Sequence, residues 1–190
     1  MTKQQFIDAV AAGARRGHKK YGILPSLTIA QAILESGWGK SHIKNNLFGI
    51  KAGANWTGKI AVRETKEFIN GQWITVQAKF RAYDSFNESI EDHAKLLGTT
   101  DRYKKVIQAE DYKEACYEVW KAGYATDPNY PNKLTNIIEQ YELQQYDDLF
   151  YEDRKWAMEN GISDGSDPDR PVLRKEVWAM LHRFTKMRGI

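Results

Sequence analysis

The chain has 190 residues and a formal net charge of +3; 42% of its side chains are hydrophobic and 28% charged. That is a globular composition with enough apolar material for a core, which excludes a disordered or fibrous chain. A charge so mildly positive does not require nucleic acid as a partner, and no apolar run approaches the roughly 20 residues of a membrane-spanning helix.

Thr2 and Gln5 fit a capping box, and Phe6, Ile7, Val10 and Ala14 give a helical stripe to about Arg16. Arg15, Arg16, Lys19 and Lys20 read as a solvated face. No signal-peptide apolar segment follows Met1-Thr2-Lys3-Gln4-Gln5, so synthesis in the cytoplasm is expected.

Pro25 then opens a second helix, where its missing N–H costs nothing. Ile29, Ala30, Ala32, Ile33 and Leu34 leave that helix little polar surface, so it should be buried. It carries Glu35 to its own end, and Gly37 is the expected stop. A carboxyl where core meets cleft is partly desolvated; this raises its pKa and suits a general acid.

The turn-rich Asn45-Asn46-Leu47-Phe48-Gly49-Ile50-Lys51 follows. Residues 59–69 and 72–81 then alternate in polarity around Asn70-Gly71, a strong hairpin signal. A two-residue loop sets Phe68 opposite Trp73, Glu67 opposite Ile74 and Thr65 opposite Val76. Glu67 then shares a face with Ile74, Val76 and Ala78. Burying an unpaired charge is costly, so either that face lines a cleft or Glu67 is solvated or paired with Lys66 or Arg63.

From Ser85 the chain is helical again. Ser85 and Glu88 form a capping box, Ile90, Ala94, Leu96 and Leu97 follow, and Gly98 is the expected stop. Tyr103, Val106 and Ile107 mark a short helix. Asp111 caps the next, which holds Cys116 as a core thiol and ends at Gly123. As the single cysteine, Cys116 excludes an intramolecular disulfide. Pro131 opens a helix with Leu134, Ile137 and Ile138. Gln144 to Asp148 reads as a polar linker. Beyond it, two helices, Phe150 to Asn160 and one carrying Val177, Trp178, Leu181 and Phe184, flank a Gly/Asp/Pro loop. About forty residues is too few for an independent core, so this module should pack on the first domain or on copies of itself. His18, His42, His93 and His182 lack ligand-like spacing, so neither metal nor cofactor is expected.

Four ordered segments carry a resemblance: Ala30-Gln31-Ala32-Ile33-Leu34-Glu35-Ser36-Gly37-Trp38-Gly39; Asn46-Leu47-Phe48-Gly49-Ile50-Lys51; Phe80-Arg81-Ala82-Tyr83-Asp84-Ser85 running into Glu88-Ser89-Ile90-Glu91-Asp92-His93; and Gly123-Tyr124-Ala125-Thr126-Asp127-Pro128-Asn129-Tyr130. Residues 1–146 resemble glycoside hydrolase family 73, the peptidoglycan N-acetylglucosaminidase domain of autolysins, flagellar muramidase-type proteins and phage endolysins. The resemblance implies an α+β, mainly helical, lysozyme-like fold with a small β-hairpin lobe over the cleft. It implies hydrolysis of the β-1,4 bond from N-acetylglucosamine to N-acetylmuramic acid, with bacterial peptidoglycan as the partner. Glu35 falls on the family's general acid. Glu67 falls on a proposed second carboxylate of the β-lobe. Tyr130 falls on a cleft aromatic, with Tyr124 as the neighbouring alternative.

Glycoside hydrolysis needs a protonated carboxyl at the leaving oxygen and a second group that activates water or stabilises the oxocarbenium-like charge. The residues leave inverting, retaining and substrate-assisted routes open. Trp38, Phe48, Tyr124 and Tyr130 are candidate faces for sugar rings, with core packing as the alternative for each. A lytic transglycosylase uses one acid on the same fold and is the alternative enzyme; a non-catalytic wall-binding or virion structural module is the alternative of another class. Residues 147–190 resemble a single S-layer homology motif, implying a cell-wall polysaccharide as a second partner, with Arg174 the candidate glycan contact, or oligomerisation. Leu173 stands where that motif usually has a Thr. With no signal peptide, the expected setting is a phage-type endolysin released to the wall through a holin.

Overall fold

The computed structural model describes residues 1–69, 72–148, 150–166, 171 and 173–188, with backbone alone at 66–69, 73, 151, 152, 187 and 188. It divides into two compact units, Met1–Asp147 and Asp148–Ile190.

In the first unit, α1 (Lys3–Tyr21) starts at the Thr2 capping box, in which the Thr2 hydroxyl accepts from Gln5 N and the Gln5 side chain accepts from Thr2 N. It runs beyond Arg16 to a left-handed Gly22 cap. Arg15 is buried, not part of a solvated face. Next, α2 (Pro25–Ser36) is the central helix. Every residue from Pro25 to Ile33 is buried, and Leu27, Ile29, Ala30 and Ala32 are completely so. Burying one Leu or Ile fully is worth about 1.5–3 kcal/mol, so this apolar surface is what fixes α2 at the core.

The start of α2 has no local side-chain cap. Asp147 supplies one from the far end of the unit: its carboxylate accepts from Ser26 N at 2.7 Å and from Ser26 Oγ at 2.7 Å. A carboxylate there satisfies an orphan N–H and meets the positive end of the helix dipole. The expected linker therefore begins later. Leu143–Asp147 is a 3-10 turn with Leu143 and Tyr146 buried, because capping and apolar burial together tie it down.

Strands β1 (Ile60–Ile69) and β2 (Gln72–Arg81) pair antiparallel with Thr65 opposite Val76, Glu67 opposite Ile74 and Phe68 opposite Trp73, the expected register. The turn residues Asn70 and Gly71 lie outside the described residues. The face shared by Arg63, Thr65, Ile74 and Val76 is closed at its base by Ala78 and Phe80 and opens outward to Ile74, while Ile60, Val62, Glu64, Thr75 and Gln77 on the opposite face are exposed. Residues 50–52 run along β2, joined by Arg81 N to Ile50 O and Ala52 N to Lys79 O. Buried Asn46 clamps this joint: Nδ2 donates to Ile50 O and Arg81 O, and Oδ1 accepts from Ile50 N.

In α3 (Phe86–Thr99) the Ser85 hydroxyl accepts from Glu88 N, whereas Glu88 reaches one residue further back, to Asp84 N. Gly98 is not the stop. It lies inside α3, where a Cβ would come within 2.5 Å of Tyr21 Cβ; likewise a Cβ at Gly17 would meet Ala94 at 2.8 Å. These glycines let α1 and α3 approach closely. Short α4 (Lys104–Ile107), α5 (Tyr112–Lys121) and α6 (Tyr130–Gln140) complete the unit. Cys116 on α5 is fully buried, which pushes its thiol pKa up to about 12 and leaves it a packing group.

In the second unit, α7 (Tyr151–Glu159) and α8 (Arg174–Arg188) meet edge to face through Trp156 and Phe184. Arg183 Nη1 donates to Ile162 O at 2.8 Å across the intervening loop. Trp178, Leu181 and Leu173 remain exposed. Among the described residues, no helix is long and apolar enough to cross a membrane.

Candidate active site

The site is built by the end of α2. Gly37, Trp38 and Gly39 have φ of 54°, 65° and 70°, three successive left-handed residues. Such a turn is rare outside glycine. Gly37 N–H closes the helix on Ile33 O. Ser36 Oγ donates to Ala32 O and accepts from Gly39 N. A Cβ on Gly39 would come within 2.7 Å of the Phe6 ring. The chain thus turns away at once, and the last turn of α2 is left open at Glu35.

Glu35 is accessible from a cleft of about 440 Å³, whose other walls include Phe48, Lys51, Arg102, Tyr103 and Tyr124. The core behind it withdraws solvation and raises its carboxyl pKa above the ordinary 4.5, opposed by a hydrogen bond from Tyr130. That bond runs from the Tyr130 hydroxyl to Glu35 Oε1 at 2.8 Å. Tyr130 is 4% exposed and stands behind Glu35, not as a wall of the cleft. Its phenol is held protonated, first by burial and then by Tyr124 and Glu35.

Two residues not singled out for catalysis in the sequence complete the arrangement. Gln31 Nε2 donates to the Tyr130 oxygen at 3.1 Å, and Gln31 Oε1 bonds His93 Nε2 at 3.1 Å. Both are fully buried. Gln31 precedes Glu35 by one helical turn, so a polar residue on the same side of an otherwise apolar helix was the available signal.

The other sequence candidates divide. Tyr124 lines the cleft and stacks on Tyr130 with ring centroids 6.0 Å apart; its buried hydroxyl has no hydrogen-bond partner among the described residues. Phe48 also lines the cleft but is 4% exposed, with its face stacked 3.8 Å from the His93 ring, so it packs and does not present a free face to a sugar. Trp38 is absent from the lining. It sits edge to face with Phe6 and Tyr141, with Lys3 Nζ 5.0 Å from its ring centroid, because its left-handed backbone turns it back onto α1. The backbone of Glu67 occupies the outer part of the hairpin's inner face, and its side chain lies outside the described residues. Arg174 is exposed in the first turn of α8, in the second unit. Beside it, Glu176 accepts from Leu173 N, the half of a capping box that survives without the Thr. Among the described residues, no group of three or more His, Cys, Asp or Glu could hold a metal ion.

This arrangement is what acid-assisted bond cleavage needs: an accessible carboxyl with a raised pKa, a hydrogen-bond donor ready for its ionised form, and a cleft beside it. Comparison with known proteins agrees. The profile of the glucosaminidase family, described as mannosyl-glycoprotein endo-beta-N-acetylglucosaminidase, matches residues 11–143. The chain is 46% identical over 155 residues to the exo-glucosaminidase LytG of Bacillus subtilis, covering 77% of this chain and 54% of that protein. It is 41% identical over 154 residues to a probable N-acetylmuramidase of Lactococcus lactis, covering 76% and 35%. It therefore spans about half the length of the first relative and about a third of the second. A solved structure of a peptidoglycan hydrolase mutant from Sphingomonas sp. A1 is similar at a TM-score of 0.67 and 41% identity, over 75% of this chain and 97% of that one. With the family profile extending from within α1 to the turn that holds Leu143, the chain belongs to the glucosaminidase family, glycoside hydrolase family 73.

Proposed function

We propose that the chain is a peptidoglycan hydrolase that cleaves the β-1,4 bond between N-acetylglucosamine and N-acetylmuramic acid, with Glu35 as general acid. The observation that carries this is the Glu35 carboxyl, open to the cleft, raised in pKa, and held by the Tyr130 hydroxyl. Protonated, Glu35 gives its proton to the leaving glycosidic oxygen; ionised, it is stabilised by Tyr130. Glu67, by its register on the inner face of the hairpin, is the second carboxylate in this reading. Tyr124 lines the cleft and offers ring surface to the sugar.

Glu35 is the one carboxylate among the described residues lining the cleft, which is also what a lytic transglycosylase requires. The relatives carry both glucosaminidase and muramidase names. Mass spectrometry of digested, purified peptidoglycan separates these. Reducing-end N-acetylglucosamine is expected. Reducing-end N-acetylmuramic acid or anhydro-muramic ends would replace this reading with one of the others. Binding without release of any glycan, by wild type and Glu35→Gln alike, would leave a wall-binding or virion structural module.

The setting proposed is that of a phage-type endolysin, made in the host cytoplasm and released through a holin. Its second unit engages wall polysaccharide around Arg174 or pairs with another copy through exposed Trp178 and Leu181.

A further inference from the structure

Behind Glu35 lies a buried chain of hydrogen bonds whose direction can be read from one unpartnered atom. His93 is completely buried, and its Nδ1 has no hydrogen-bond partner among the described residues. A proton on Nδ1 would be an orphaned donor in the core, whereas a bare lone pair there costs less. The proton therefore sits on Nε2, which faces Gln31 Oε1 at 3.1 Å. That fixes the Gln31 amide with its oxygen toward His93 and its nitrogen toward Tyr130. The Tyr130 oxygen, already accepting from Gln31, is left to donate to Glu35 Oε1. Every link points the same way, from His93 to Glu35. Phe48, stacked 13° from parallel on His93, holds the ring at the head of the chain.

We infer that His93 and Gln31 are positioning residues that aim the Tyr130 proton at Glu35 Oε1 and so reserve Glu35 Oε2 for the proton given to the substrate. When Glu35 is neutral, Oε1 accepts from Tyr130, and the acid proton is confined to Oε2. When Glu35 ionises, the same hydroxyl stabilises the carboxylate without having to rotate, which is preorganisation of the kind that speeds proton transfer. Burial keeps His93 neutral, with its pKa lowered to about 3, so the direction of the chain does not reverse at working pH. Among the described residues, the other titratable and charged groups around the cleft are Tyr124, Tyr103, Arg102 and Lys51, and all remain in the variants below.

This inference rests on Glu35 being the general acid. The test follows the Glu35 carboxyl by carbon-13 NMR titration in the full chain, beside kcat and KM on soluble peptidoglycan fragments. His93→Phe keeps a ring for Phe48 but removes the donor. The Gln31 amide is then free to turn, and the Tyr130 proton loses its direction. The Glu35 pKa is expected to rise, the basic limb of the rate profile to move up with it, and kcat to fall about tenfold or more with KM unchanged. His93→Gln restores an N–H near the Nε2 position and is expected to recover both the titration and kcat. If His93→Phe does not fold, Gln31→Met breaks the same chain at its middle, with the same shift expected. An unmoved Glu35 titration in the broken chain, or a His93→Gln protein as impaired as His93→Phe, overturns the positioning roles alone. A fully active Glu35→Gln overturns the acid assignment itself.

Discussion

Tyr130 donates its hydroxyl proton to Glu35 Oε1 over 2.8 Å, joining residues 95 positions apart in the chain. Two opposed influences meet at that carboxyl. Loss of solvent raises its pKa, the Tyr130 bond lowers it, and the first is larger. A group tuned this way keeps its proton longer than an ordinary Glu and still has a partner once the proton has gone.

Tyr130→Phe removes the lowering influence. The Glu35 pKa should rise further, and the basic limb of the pH–rate profile should move to higher pH. The change also strands the Gln31 amide donor, at a cost of about 1–3 kcal/mol. A pH–rate profile and a urea melt check both effects.

Glu35→Gln should lower kcat by about 10²–10⁴-fold, read from the release of reducing ends. It should also stabilise the fold at neutral pH. Because the folded pKa lies above 4.5, the folded state holds a proton through a pH window in which the unfolded chain has lost it. Wild-type stability therefore falls as pH rises through that window. The melting-temperature advantage of Glu35→Gln should be full above the folded-state pKa, shrink as pH falls through the window between that pKa and 4.5, and be gone below it.

Asp147→Ala should destabilise the first unit by about 1–2 kcal/mol, since it removes the two side-chain bonds that cap the start of α2. The urea midpoint of the first unit's transition should fall.

Asn46→Leu should cost about 2 kcal/mol or more, because Ile50 N and Arg81 O lose their Asn46 bonds and Ile50 O keeps only the one from Arg81 N. Amide hydrogen exchange should show the loss first in residues 50–52 and the facing part of β2. Near-wild-type exchange there would mean that the strand pairing holds the joint without the clamp.

Local features were legible wherever the physics is local. Hydrophobic periodicity and the missing N–H of Pro25 gave α2 its start, and Gly37 gave its end. The alternation on either side of residues 70–71 gave the strands and their register. Glycines were harder. Gly98 reads as a stop but serves the approach of α3 to Tyr21, because a bare Cα meets both needs and sequence cannot say which one applies. For Trp38 the sequence left a sugar face and core packing both open, and its left-handed φ turns it back onto Phe6 and Tyr141.

The sequence by itself determined the mainly helical fold with one hairpin, the family motifs, and Glu35 at the mouth of a buried helix. Those follow from spacing and from burial along single elements, which neighbouring residues dictate. Only the tertiary structure decided which groups meet Glu35. Tyr130 on α6, Gln31 on α2 and His93 on α3 converge because three helices pack on one core. No local spacing encodes that convergence, and the direction of its hydrogen bonds depends on Nδ1 of His93 having no partner among the described residues of the folded interior.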